Sequence, residues 1–250
     1  MTLKQELSNA EDSRLAGNYT DAIKRYSEIV ASDIEKSDTY CHSLRGLAEV
    51  HRMLESYTEA ETYYTKALDA YKQSNNAYGL GISFLGLGQL HRQKNDLIEA
   101  KENIKKAVIE FTNANDNYGL ADSNIELGHL ELAQLNNENA LSYFEVAKTY
   151  YEKLNDEWGL AAANLGEGKS YSKQNKFKHA QESLQNALVN YENTSDKLGQ
   201  ANVFKELANI DFNEGNTASA KELYKKAKKL FEEMNEESEV QKINSKLLMI

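Results

Sequence analysis

The sequence predicts an all-α protein, an α-solenoid of antiparallel helix hairpins wound as a right-handed superhelix and closed by a C-terminal capping helix. Three observations predict it. There is no proline in 250 residues, which suits a chain that is nearly all helix with short turns. Apolar residues fall at i, i+3, i+4 and i+7 through segments of about fifteen residues. The same kinds of residue also return every forty positions, and a fixed period of that length marks a stacked repeat.

The repeat is plain when residues 78–117, 118–157, 158–197 and 198–237 are set one above another. Each block opens on a large side chain followed by glycine: Tyr78-Gly79, Tyr118-Gly119, Trp158-Gly159 and Leu198-Gly199. Polar turns precede three of them, at 113–117, 154–157 and 194–197. A small residue follows within each unit (Ala48, Gly88, Gly128, Gly168, Ala208). Twelve positions later comes an alanine (Ala60, Ala100, Ala140, Ala180, Ala220), and seven further on a second (Ala67, Ala107, Ala147, Ala187, Ala227). Between the two alanines sits a bulky residue: Tyr64, Ile104, Phe144, Leu184 or Tyr224. Small residues at helical spacing let two antiparallel helices approach, and the bulky one fills the groove they leave. Asn-, Asp- and Gly-containing turns, such as 94–96, 135–137 and 214–216, separate the two helices of a hairpin. One hairpin cannot bury its own apolar face, so neighbours stack into a shared core.

These spacings resemble the tetratricopeptide repeat. Phe84, Leu87, Gly88 and His91, followed by Ala100, Ile104 and Ala107, carry the resemblance best, and Leu44, Leu47, Ala48, His51, Ala60, Tyr64 and Ala67 match almost as well. The resemblance covers nearly the whole chain. It implies a single domain, 1–250, with repeats at 1–37, 38–77, 78–117, 118–157, 158–197 and 198–237 and a capping helix at 238–250. Two departures stand out: the period is forty rather than about thirty-four, and the proline that often closes the family's unit is missing. The additional residues are expected in longer helices and a longer connection. The first copy (Ala10, Ala22, Tyr26, with Ile29 for the second alanine) is relaxed, as an N-terminal cap would be. In the last thirteen residues Val240, Ile243 and Leu247 share one face, as a closing helix requires, while the apolar 247–250 run leaves a homodimer contact open beside packing back onto repeat six.

Composition narrows the function classes. Net charge is −10, which does not suit a nucleic-acid partner. Residues 118–157 carry eight acidic side chains against Lys148 and Lys153, a net of −6, and the next forty come to about +1. Cys41 is the only cysteine, so no internal disulfide framework is expected, and a reducing, cytoplasmic location follows. The N-terminus has no apolar run of signal-peptide length and no segment is apolar enough for a membrane. The glycines at 79, 81, 86 and 88 do not follow a strand, so they read as packing residues rather than a phosphate loop. His42, His51, His91, His129 and His179 lack metal-ligand spacing. No catalytic residue, metal or cofactor is indicated. The tyrosines, among them Tyr64, Tyr71, Tyr150, Tyr151 and Tyr191, read as core.

The resemblance further implies that the first helix of each hairpin lines a concave groove. Counted from the small residue, the groove receives Arg14, Arg45, Glu49, Arg52, Gln89, Arg92, His129, Lys169, Lys173, Asn202, Lys205 and Asn209. Four of the chain's five arginines are in that set, and Arg14, Arg52 and Arg92 hold one position in three successive repeats. A planar guanidinium bonds carboxylates in a fork, so such a row suits an acidic or extended peptide. The same position lies in the last helical turn, where a cation is favoured by the helix dipole alone. The row also stops at Leu132 and Phe212. The expected function is a non-catalytic scaffold or adaptor that binds a partner peptide or helix. A self-assembling scaffold and a peptide-sensing module with a separate output protein stand beside it.

Overall fold

The computed structural model describes residues 2–250. Thirteen helices account for nearly all of them: α1 (Leu3–Leu15), α2 (Tyr19–Ser32), α3 (Asp38–Met53), α4 (Tyr57–Gln73), α5 (Ala77–Gln93), α6 (Leu97–Ala114), α7 (Asn117–Ala133), α8 (Asn137–Leu154), α9 (Glu157–Lys173), α10 (Phe177–Asn193), α11 (Lys197–Asn213), α12 (Thr217–Glu233) and α13 (Glu237–Leu247). They form two compact units, one ending at Ser123 and one covering Asn124–Ile250, with the division inside α7. Each unit is a stack of antiparallel helix hairpins, the architecture of an α-solenoid. None of the helices is long and apolar enough to cross a membrane.

The turns explain the unusual period. Every connection contains one residue of positive φ, and from Glu55 to Asn235 these recur every twenty residues, so both helices of a hairpin have nearly the same length. All of them but Lys36 close the helix before them in the same way. After α3, for example, the Ser56 N–H donates to His51 O (2.8 Å) and the Glu55 N–H to Arg52 O (3.1 Å). After α5, Asp96 donates to His91 O (2.8 Å) and Asn95 to Arg92 O (3.0 Å). This pair of bonds consumes the last orphan carbonyls and turns the chain within a few residues. Asparagine tolerates the left-handed conformation best among side chains, and it holds six of the twelve sites. The longer connection expected from the period is therefore not found. The additional residues lie in the helices, which run to 17 or 18 residues from α4 to α12.

The core follows the repeat. Both alanines of every hairpin are fully buried from Ala60 to Ala227, and Tyr64, Ile104, Phe144, Leu184 and Tyr224 are buried between them. A second ring row lies four residues beyond the second alanine: Tyr71, Phe111, Tyr151, Tyr191 and Phe231. The first four of these explain the opening glycines. A Cβ at Gly79 would come within 2.2 Å of the Tyr71 ring, and one at Gly159 within 2.2 Å of Tyr151. Glycine there lets the ring of one hairpin lie flat on the first turn of the next helix. The same glycine donates its N–H to the N-cap side chain, as Gly79 does to Asn76 (2.8 Å) and Gly199 to Asp196 (2.9 Å).

At the ends, Ile29 is buried where the other hairpins have an alanine. The C-terminal helix caps its unit as expected: Ile243 is buried, and Val240, Leu247 and Ile250 pack against the Tyr224–Phe231 cluster. Of the tyrosines read as core, Tyr150 is only half-buried and lies beneath the Lys153 ammonium (5.5 Å).

One row breaks the pattern. Leu47, Leu87, Leu127 and Leu207 occupy equivalent places, and repeat five has Glu167 there, 7% exposed. Burial pushes its carboxyl above the ordinary range, Lys148 (3.5 Å) only partly opposes this, and Glu145 adds to it. An acid whose folded-state pKa is raised favours the fold below the ordinary carboxylate range and loses that contribution as pH rises through the raised value. Glu167→Gln is expected to raise the thermal midpoint at neutral pH by roughly 2–4 °C, the shift that about 1 kcal/mol makes in a chain of this size. The gain should vanish on acidification below the glutamate range, as followed by circular dichroism.

Candidate functional site

The first helices of the hairpins carry the candidate residues, and each unit is described by itself. In the first unit, α1, α3 and α5 supply Arg14, Arg45, Glu49, Arg52, Gln89 and Arg92. The small-residue rows pack these helices closely enough that long side chains from one reach the next.

Part of this set is engaged with itself. The Arg14 guanidinium meets Glu11 at 2.7 Å and Glu49 at 3.3 Å. Arg45 pairs with Glu49 one turn along its own helix and approaches Glu11 at 3.9 Å. All four are largely shielded from solvent. Burial alone would raise the Glu11 carboxyl, yet the Arg14 hydrogen bond and the charges of Arg14 and Arg45 hold it below the usual carboxylate range. Burial likewise pushes the Tyr64 and Tyr71 hydroxyls up to about 12, so both rings stay neutral beside this network.

Arg52 is different. It makes no ion pair among the described residues, and its Nε, like that of Arg45, is buried without a hydrogen-bond partner. It lines a cleft of about 260 Å³ together with Glu49, Tyr64, Tyr78, Gln89 and Asp122. Arg92 ends α5, half-buried, in the last turn. The row of three arginines therefore does not act as one wall: Arg14 is an ion-pair partner and Arg52 a cleft residue.

In the second unit, His129 meets the Phe144 ring edge-on at 5.3 Å. Asn202 donates to Leu198 O of its own helix (3.0 Å). Lys205 reaches Glu239 of α13 (2.8 Å) and lies over the Phe231 ring. Asn209 donates to Glu206 (3.2 Å) and accepts from the Tyr224 hydroxyl (2.6 Å). Lys169 and Lys173 have no ion pair among the described residues. With Asn209 they line a cleft of about 620 Å³, completed by Leu132, Phe212 and Lys246.

That cleft holds a residue that the sequence reading assigned to a cap alone. Lys246, on α13, lies forty positions after Glu206, another residue of the same cleft. Neither Glu206 nor Lys246 falls at a groove position counted from the small residue, so the spacing passes over both and the packing of α13 brings Lys246 in. The three row positions that follow the arginines, Leu132, Ser172 and Phe212, also line this cleft. The row changes from guanidinium to mostly apolar, and the cation moves to neighbouring positions.

Arg14→Ala leaves Glu11 and Glu49 with fewer donors in a shielded site. It is expected to cost about 1–3 kcal/mol of stability, the scale of a hydrogen bond to a charged group. Urea denaturation measures this, with Arg52→Ala as the counterpart that leaves the midpoint nearly unchanged.

Comparison with known proteins agrees with this fold. The tetratricopeptide repeat model matches residues 6–73 and 38–108. Among curated proteins no sequence matches. Among solved structures, BtubC (BKLC) from P. vanneervenii superposes with a TM-score of 0.71 at 17% identity, covering 94% of this chain and 93% of that one. A Rap protein crystallised in complex with competence and sporulation factor gives 0.71 at 16% identity over 99% and 75%. A signal transduction ATPase with a tetratricopeptide repeat sensor, from Pyrococcus horikoshii, gives 0.75 at 15% identity over 97% and 41%. Identities this low report the fold.

Proposed function

We propose that this chain, a tetratricopeptide-repeat protein, is a non-catalytic scaffold that holds a segment of a partner protein against the first helices of its hairpins. The observation that carries the reading is the division of labour along those helices. Alanine, glycine and aromatic rows do the packing, and residues outside those rows line open clefts: Arg52 and Gln89 in one unit, Lys169, Lys173 and Asn209 in the other. A preformed helical surface binds an extended segment with little ordering cost on its own side. The Rap protein that shares the fold was crystallised in complex with competence and sporulation factor, which supports a fold of this kind holding a partner. An adaptor in the cytoplasm fits a chain whose single thiol, Cys41, is buried.

Partners captured from native lysate by the immobilised chain are expected to be lost from Arg52→Ala and Lys173→Ala, by roughly tenfold in yield for a lost charge-assisted contact. Lys72→Ala, on the second helix of a hairpin, should keep them. The same partners at the same yield from all three variants would remove the groove reading.

A second copy of the chain is the other candidate occupant. Leu248 and Met249 are 89% and 69% exposed beyond the capping helix. If they join two copies, sedimentation of the full chain is expected to give a dimer that Leu248→Ser with Met249→Ser converts to monomer; a monomer in both cases removes this reading.

A further inference from the structure

We propose that the cleft between α9, α11 and α13 recognises acidic side chains of an extended partner segment, with the Lys169 ammonium as the anchor and Leu132 and Phe212 seating an apolar neighbour. The inference rests on the peptide-binding reading above and names what the peptide must carry.

Charge is the first ground. In a protein of net charge −10, this cleft is lined by Lys169, Lys173 and Lys246 against Glu206 alone. The pairing of Lys169 is the second. It makes no ion pair among the described residues, although it is partly buried. Burial pushes its ammonium below the ordinary lysine range, and the nearby Lys205 adds to this, opposed by Glu206 and Glu239. Both of those carboxylates already hold other donors. Glu206 accepts from Asn209 (3.2 Å), and Glu239 accepts from Lys205 (2.8 Å) and Lys242 (2.6 Å). A cation that has lost water without gaining a partner is stabilised by a carboxylate that enters the cleft.

Comparison within the unit is the third ground. Lys148, which lines the neighbouring cleft, reaches Glu167 at 3.5 Å, and Lys205 is held by Glu239. Lys169 and Lys173 lack any such acceptor and face the same opening. The lining also includes two apolar side chains, because Leu132 and Phe212 stand where the first unit has arginine. An acidic residue next to an apolar one matches both kinds of lining, and a side-chain carboxylate meets the cleft without needing a chain end.

The test is selection from a phage-displayed random-peptide library in which each peptide is fused at its C-terminus, so that only side-chain carboxylates are offered. The target is the full chain. Selected sequences are then measured as amidated synthetic peptides by fluorescence anisotropy. The expected result is enrichment of Asp or Glu beside Leu, Ile or Phe. Lys169→Met should weaken binding about tenfold, and changing the peptide's Glu to Gln should cost the same with wild type but little more with Lys169→Met. Lys246→Met, on the exposed side of the cleft, is expected to act in the same direction and carries the test if Lys169→Met does not fold. Peptides without an acidic residue, or equal affinities for wild type and both variants, would overturn the acidic-segment assignment while leaving peptide binding intact. A selection that enriches nothing would overturn both.

Discussion

The fold depends on one contact, an aromatic ring laid flat on a glycine. Tyr71 on Gly79 and Phe111 on Gly119 make it in the first unit, Tyr151 on Gly159 and Tyr191 on Gly199 in the second. In each case the ring comes from the last turns of one hairpin and the glycine from the first turn of the next. Any side chain at the glycine would collide with the ring, and any small residue at the ring would leave a hole in the junction. The contact thereby ties together two features that lie eight residues apart in sequence and makes these four junctions alike. A solenoid built this way gains stability junction by junction, without a single central core. At the end of the series Phe231 meets α13 and its Ile243, so the last ring is covered by a helix.

Because packing is delegated to those rows, the remaining positions of the first helices are released for other work. The two units use them differently. In the first, Arg14, Arg45, Glu11 and Glu49 pair with one another, and the arginine row that looked like a binding wall is partly internal structure. In the second, cations remain without carboxylate partners around an opening with two apolar side chains. The same register position thus contributes an ion pair in one place and a cleft wall in another. The difference lies in what the neighbouring helix presents to it.

Glu167 shows the opposite substitution, a carboxylate in a row of leucines. A buried acid with an incomplete partner costs stability at neutral pH, where leucine would not. Its row is intact in every other hairpin after the first, so the repeat tolerates one weak place without losing its register.

The sequence by itself determined the helices, their pairing into hairpins, the buried alanine and aromatic rows, and the C-terminal cap. All of these arise from short-range spacing, because a helix places residues three, four and seven apart on one face regardless of what lies beyond. It also pointed to the residues that line the clefts, through the position counted from each small residue. What only the tertiary structure decided is which of those residues are still available. Glu11 lies on α1 and Glu49 on α3, and nothing in the spacing states that both reach Arg14. Lys246 entered the cleft because α13 continues the stack, an outcome set by how Ile243 and Val240 seat the helix on the last hairpin. Periodicity specifies faces, and pairing between side chains of different helices is settled only when those faces meet.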